Sequence, residues 1–318
     1  TPTSMKTART VVAATASASL LTLVLAGCAT GASSTAPAAT ADSSPKITVV
    51  AGENEYADVV QQIGGDRVDV SAILSDPNTD PHTFEASASV AKEIAGAKLI
   101  VQNGLGYDDF MSDLEKASPD ESRSVIVAQD VLGLPDSTDN PHLWYDPKTM
   151  PAVAKAVADR LSELDPASAD AFHANLATFT ASLSDWTDAL SAFAEDHPKT
   201  PVAVTEPVAD FMLDAADADV ETPWNLQAAI MNDTDPSAQD TATQDSLFTG
   251  KQVKVFLYNQ QVTDDTTDKY LQLAKDNGIP VVGVYETMPA NHHYQDWMLD
   301  EVKALETAVT QGTSTEHL

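Results

Sequence analysis

Residues 165–196 read DPASADAFHANLATFTASLSDWTDALSAFAED, and the reading of this stretch decides the fold. Its large apolar residues are Phe172, Leu176, Phe179, Leu183, Trp186, Leu190 and Phe193, spaced alternately by four and three. That spacing puts them on one face of an α-helix. Asp165-Pro166 is a helix start, with an acceptor side chain at the N-cap and a proline where no N–H is needed. His197-Pro198 is the stop, because proline disfavours helical backbone in the residue before it. The spacing predicts a helix over 166–195, about 45 Å long at 1.5 Å per residue. Its apolar stripe is read as packing surface.

On both sides of this helix, short β-branched runs alternate with helical patterns. Candidate strands lie at 47–50, 68–74, 99–101 and 125–127 before it, and at 202–204, 253–258 and 281–285 after it. Helical patterns lie between most of them, for example at 56–63 and 266–276. Met150, Val153, Val157, Leu161 and Leu164 form a further helical face. Alternation of this kind predicts βαβ units and mostly parallel sheets. The expected fold is α/β: two βα lobes bridged by a single long rigid α-helix. The boundaries read as an N-terminal lobe at 46–164, a spine helix at 165–197 and a C-terminal lobe at 198–318.

The first residues read as an address. Met5 is taken as the start of the natural frame, Lys6 and Arg9 form a positive segment, and 11–25 is uncharged and apolar. This is a secretory leader at 1–27, too short and wrongly flanked for a membrane span. It ends in Leu25-Ala26-Gly27-Cys28, which resembles the bacterial lipobox and implies lipidation of Cys28, the chain's one cysteine. With no second cysteine the fold has no intrachain disulfide. Residues 28–45, rich in Ser, Thr, Ala and Pro, read as a flexible tether to the outer face of a bacterial cell membrane.

The net charge is −31, from 17 basic and 48 acidic residues. Nucleic acid is excluded as a partner, because binding it needs a basic surface. An acidic field concentrates cations, and equally keeps an exported protein soluble.

Two tripeptides sixty positions apart, Asp80-Pro81-His82 and Asn140-Pro141-His142, each set a histidine after a proline in a polar loop. Neutral imidazole is the commonest transition-metal donor, and proline stiffens the loop that presents it. In open parallel sheets, ligands bind beyond the carboxyl ends of the strands. There the second half supplies Glu206 after 202–204 and Glu286 after 281–285. Two imidazoles and two carboxylates suit Mn²⁺, Zn²⁺ or Fe²⁺ and disfavour Cu(I), which prefers sulfur. His292 and His293 read as rim residues, His173 as exposed, His197 as a helix-end residue and His317 as part of a frayed tail. Asp146 reads as the cap of the helix after Pro147, ahead of a role in orienting an imidazole.

At these residues the chain resembles the solute-binding lipoproteins of ABC importers for zinc and manganese, the cluster A-I metal-binding family. The carrying segments are Asp80 to Glu85, Asn140 to Pro147, Val204-Thr205-Glu206 and Val284-Tyr285-Glu286-Thr287. The resemblance implies a divalent ion held in the cleft between the lobes by His82, His142, Glu206 and Glu286. It implies an ABC permease as partner, a monomer, and no catalysis. The stretch 134–139 lacks the histidine-rich loop of many zinc members, and Glu206 stands where zinc importers commonly carry histidine. Both features lean toward manganese, with zinc a close second. The alternatives are an exported metal-dependent hydrolase, for which no His-Glu-x-x-His or Gly-x-Ser-x-Gly is present, and an adhesin-like surface lipoprotein.

Overall fold

The computed structural model describes residues 45–318, so the expectations for the leader, for Cys28 and for the tether fall outside the described residues. The first half runs β1 (Ile47–Glu53), α1 (Asn54–Gly64), β2 (Val68–Leu74), α2 (Ala88–Gly96), β3 (Leu99–Gln102), α3 (Asp109–Ala117), β4 (Ser124–Val127), α4 (Ala128–Leu132) and α5 (Thr149–Leu164). Then come α6 (Ala169–Ser182) and α7 (Ser184–Asp196). The second half runs β5 (Pro201–Val204), α8 (Asp210–Ala215), β6 (Asp219–Val220), α9 (Trp224–Met231), α10 (Ala238–Thr249), β7 (Val255–Asn259), α11 (Asp265–Asp276), β8 (Val281–Val284) and α12 (Tyr294–Gln311).

Each half builds a four-stranded, all-parallel sheet, ordered β2-β1-β3-β4 and β6-β5-β7-β8. Side chains alternate between faces with the period of two that a strand imposes. Val49, Ala51, Leu99 and Val101 enter the large central core, while Val50 and Ile100 face a smaller cluster with Ile94 and Met111. In the second sheet Val202, Val204, Val255, Leu257, Val282 and Val284 face the central core. Ala203, Phe256, Tyr258 and Val281 face a second cluster with Phe248 and Tyr270. Burial on both faces is why these strands read as continuous apolar runs.

The spine is bent. Phe172, Phe179, Leu183, Trp186, Leu190 and Phe193 are all buried along one face, as their spacing predicts. The helix is nevertheless interrupted at Leu183, where the backbone tightens and the Leu183 N–H donates to Thr180 O, three residues back. The Ser182 hydroxyl donates to Phe179 O at 2.7 Å, occupying the carbonyl that the Leu183 N–H would reach in a continuous α-helix. The two segments serve different halves: α6 packs on α1 and α5, and α7 packs on α8 and α12. Asp165 meets Arg67 Nε at 2.8 Å and accepts from Ser168 Oγ at 2.7 Å ahead of α6. The expected cap of α5, Asp146, does not hold that position: Lys148 does, with no side-chain capping bond, while the Asp146 carboxylate accepts the Lys148 N–H in the turn before the helix.

The expected frayed tail is instead tied down. After Gly312 closes α12 in a left-handed turn, Thr315 pairs with the outer edge of β8. Its N–H donates to Val281 O and its carbonyl accepts from Gly283, both at 2.8 Å. A Cβ on Gly283 would lie 2.0 Å from Glu316 O, so the close pass requires glycine. Among the described residues no helix is long and apolar enough to cross a membrane.

Candidate metal centre

The switch point of the second sheet lies between β5 and β7, and three side chains converge beyond its strand ends. Glu206 follows β5, Asn259 ends β7 and Glu286 follows β8, all buried. From the first half, His82 sits in a single 3₁₀ turn after β2, and the Asp80 carboxylate accepts the His82 N–H at 2.8 Å. His142 sits in the loop between α4 and α5, where Asn140 Oδ1 accepts the His142 N–H and pairs with its Nδ1 at 2.8 Å. The Asn140 amide nitrogen donates in turn to Pro207 O, which orients the side chain. Nδ1 therefore carries a proton, and Nε2 is the ring nitrogen that faces the rest of the cluster.

That nitrogen points at Glu286. Glu286 Oε2 lies 3.1 Å from His82 Nε2 and 3.4 Å from His142 Nε2, and it accepts from Tyr107 Oη at 2.9 Å. One ligand atom from each of His82, His142 and Glu286 falls within 4.8 Å of the other two. Glu206 stands one hydrogen bond away: the Asn259 amide nitrogen donates to Glu206 Oε2 at 2.6 Å and to Glu286 Oε1 at 2.7 Å. Three of the four expected ligands are thus brought together directly, and the fourth is joined to them through an amide.

The electrostatics follow from this geometry. Burial works against ionisation of Glu286, but the hydrogen bonds and charges of His142 and His82 hold its carboxyl well below the usual range. Burial likewise opposes charge on His82, yet Glu286, then Glu206 and Asp80, raise it to about 9. Glu206 is held well above the usual carboxylate range by burial and by the charge of Glu286. The proton held on His82 thus neutralises the buried Glu286 carboxylate.

Several contacts across the halves close the site. Gln261 Nε2 donates to Thr79 O in the His82 loop at 2.8 Å, while Gln261 Oε1 accepts the N–H groups of Glu286 and Thr287. Tyr145 Oη donates to Tyr285 O at 2.8 Å, and Asn54 and Met288 exchange two hydrogen bonds. A small cleft of about 180 Å³, lined by His82, Tyr107, Asp139 and Met231, opens beside His82. His292 and His293 lie outside the cluster: His293 Nδ1 meets Asp58 Oδ1 at 2.7 Å and His292 Nε2 lies 3.5 Å from Asp300.

Sequence reasoning missed Tyr107, Asn259 and Gln261. The strand-exit rule that selects Glu206 and Glu286 also reaches Asn259, but a search for charged donors passes over an amide. Tyr107 carries no local signal, since its ring reaches His82, His142 and Trp144 only through the fold.

Residues 49–308 match the model of the family described as zinc-uptake complex component A, periplasmic. The manganese-binding lipoprotein MntA of Bacillus subtilis is 23% identical over 81% of this chain and 83% of its own length. The metal ABC transporter substrate-binding lipoprotein ScbA of Streptococcus cristatus is 29% identical over 52% of this chain, and the chain spans 57% of that relative. Among solved structures, the periplasmic zinc-binding protein TroA of Treponema pallidum superposes with a TM-score of 0.70 at 19% identity, covering 84% of this chain and 99% of its own. FpvC of Pseudomonas aeruginosa, solved with Mn²⁺, gives 0.69 at 20% identity, covering 84% and 99%. At these identities the structural likeness concerns the fold.

Proposed function

The chain belongs to the zinc-uptake component A family of metal ABC transporter substrate-binding proteins, and from that premise we propose that it captures one divalent transition-metal ion outside the cytoplasm and delivers it to an ABC permease. The ion is cargo, Mn²⁺ in preference and Zn²⁺ as a close second, with Fe²⁺ within the same donor chemistry. The chain is not an enzyme, and it acts as a monomer.

The observation that carries this reading is the convergence of two imidazole nitrogens and a carboxylate oxygen, drawn from both halves, within 4.8 Å. His82, His142 and Glu286 are the proposed direct ligands, with Glu206 as the fourth. Two nitrogens and two carboxylates accept Mn²⁺ without excluding Zn²⁺, which binds most N/O sites more tightly. The proposed organisation is a leader at 1–27, a lipid on Cys28, a tether at 28–45, lobes at 46–164 and 198–318, and the spine at 165–197. Relatives named as lipoproteins support the anchor on the cell membrane.

Calorimetric titration of the metal-stripped protein tests the reading. One equivalent of Mn²⁺ or Zn²⁺ is expected to bind, and the double substitution His82→Ala/His142→Ala is expected to abolish that binding. Unchanged binding by the double variant would rule out the proposed site.

A further inference from the structure

β7 lies between β5 and β8 in the second sheet, so its last residue sits between the two acids that leave those neighbouring strands. That residue, Asn259, is fully buried. Its amide nitrogen uses one hydrogen on Glu206 Oε2 at 2.6 Å and the other on Glu286 Oε1 at 2.7 Å. Its Oδ1 accepts the Gln261 N–H at 3.0 Å, and its own N–H donates to Thr205 Oγ1 at 3.1 Å. These partners set the orientation of the amide. Turned over, it would aim an oxygen at two carboxylates and an NH₂ group at an N–H.

One oxygen of each acid is therefore occupied. The oxygens that Asn259 leaves untouched are Glu286 Oε2, which faces His82 and His142 and accepts from Tyr107 Oη, and Glu206 Oε1, which is buried without a hydrogen-bond partner. Resting on the metal-capture reading, we infer that Asn259 is a positioning residue that confines Glu206 and Glu286 to one donor oxygen each, and so narrows the advantage that two acids give Mn²⁺ over Zn²⁺. Two imidazoles and two single oxygens make a four-donor set, the number zinc takes. Manganese favours higher coordination by oxygen, which a carboxylate supplies when both its oxygens bind. A neutral amide imposes the limit without placing a second positive charge beside the cation, as lysine or arginine would.

The test compares Mn²⁺ and Zn²⁺ affinities of the wild type with those of Asn259→Ala and Asn259→Leu, the second keeping the side-chain volume without an N–H. Both variants are expected to raise the Mn²⁺/Zn²⁺ affinity ratio by about tenfold or more. X-ray absorption on the zinc-loaded proteins is expected to count four N/O donors in the wild type and more in the variants. An equal loss for both metals, with the ratio unchanged, would reduce Asn259 to a structural role and overturn the inference. Should neither variant fold, the wild-type count decides, and five or more donors on zinc would overturn it. A wild type that binds neither metal is a separate outcome, which removes the functional reading along with the clamp.

Discussion

His82 Nε2 lies 3.1 Å from Glu286 Oε2, an ion pair that joins the two halves of the molecule at the point where the candidate ligands meet. The pair neutralises a buried carboxylate, as the cation proposed above would do. On that proposal its proton and the metal compete for one position.

Metal affinity is expected to rise with pH. His82 must lose its proton to ligate, and that proton is held up to about 9. Displacing one proton costs about tenfold in apparent affinity for each pH unit below that value. Competition titrations at pH 6, 7 and 8 check the slope, and a flat profile would remove His82 from the ligand set.

Stability of the metal-free protein moves the other way. A histidine whose folded-state value is raised from 6.5 to about 9 stabilises the fold fully below 6.5 and loses that contribution as pH rises through 9. Asp210, which burial raises from 3.8 to about 7, acts in the same direction between those values. The metal-free protein is expected to melt higher at pH 6 than at pH 9, by roughly several degrees, in thermal denaturation. A melting temperature that rises with pH would contradict the ion pair.

The two acids are expected to differ. Glu286 faces both imidazoles, whereas Glu206 reaches them through Asn259. Glu286→Gln should lower metal affinity by at least about a hundredfold and Glu206→Gln by less. Equal losses in calorimetry would place both carboxylates on the ion alike.

Asp58 caps α12 from the opposite half of the molecule. Its Oδ2 accepts the Tyr294 N–H at 2.9 Å, while the cap residue His293 makes no capping bond of its own. Asp58→Ala should cost about 1–2 kcal/mol in urea denaturation. His293→Ala should cost less, because the His293 side chain is 62% exposed. Equal costs would assign the effect to the ion pair instead of the cap.

Tyr145 places its hydroxyl against the backbone of Tyr285, one residue before Glu286. Tyr145→Phe leaves the Tyr285 carbonyl buried without that donor, at a cost of about 1–3 kcal/mol. Chemical denaturation reads the loss, and a neutral result would mean the carbonyl finds another partner.

Much of the fold was legible along the chain because its signals are local. The β-branched runs became parallel strands, and the stripe from Phe172 to Phe193 became the buried face of the spine. Its interruption at Leu183 was not legible, since the apolar period continues unbroken while the Ser182 hydroxyl competes for a backbone carbonyl. Nor was the pairing of Thr315 with β8, which depends on an open strand edge about thirty residues earlier in the chain.

By itself the sequence determined the α/β class, the positions of the strand exits, and the donors that could collect there: His82, His142, Glu206 and Glu286. Period and composition act over a few residues, so they survive in one dimension. Only the tertiary structure decided which donors meet, that Glu286 faces both imidazoles, and that Asn259 stands between the acids. Those facts depend on strand order and on angstrom-scale distances between residues far apart in the chain. Sheet order β6-β5-β7-β8, not chain order, puts an amide between two carboxylates.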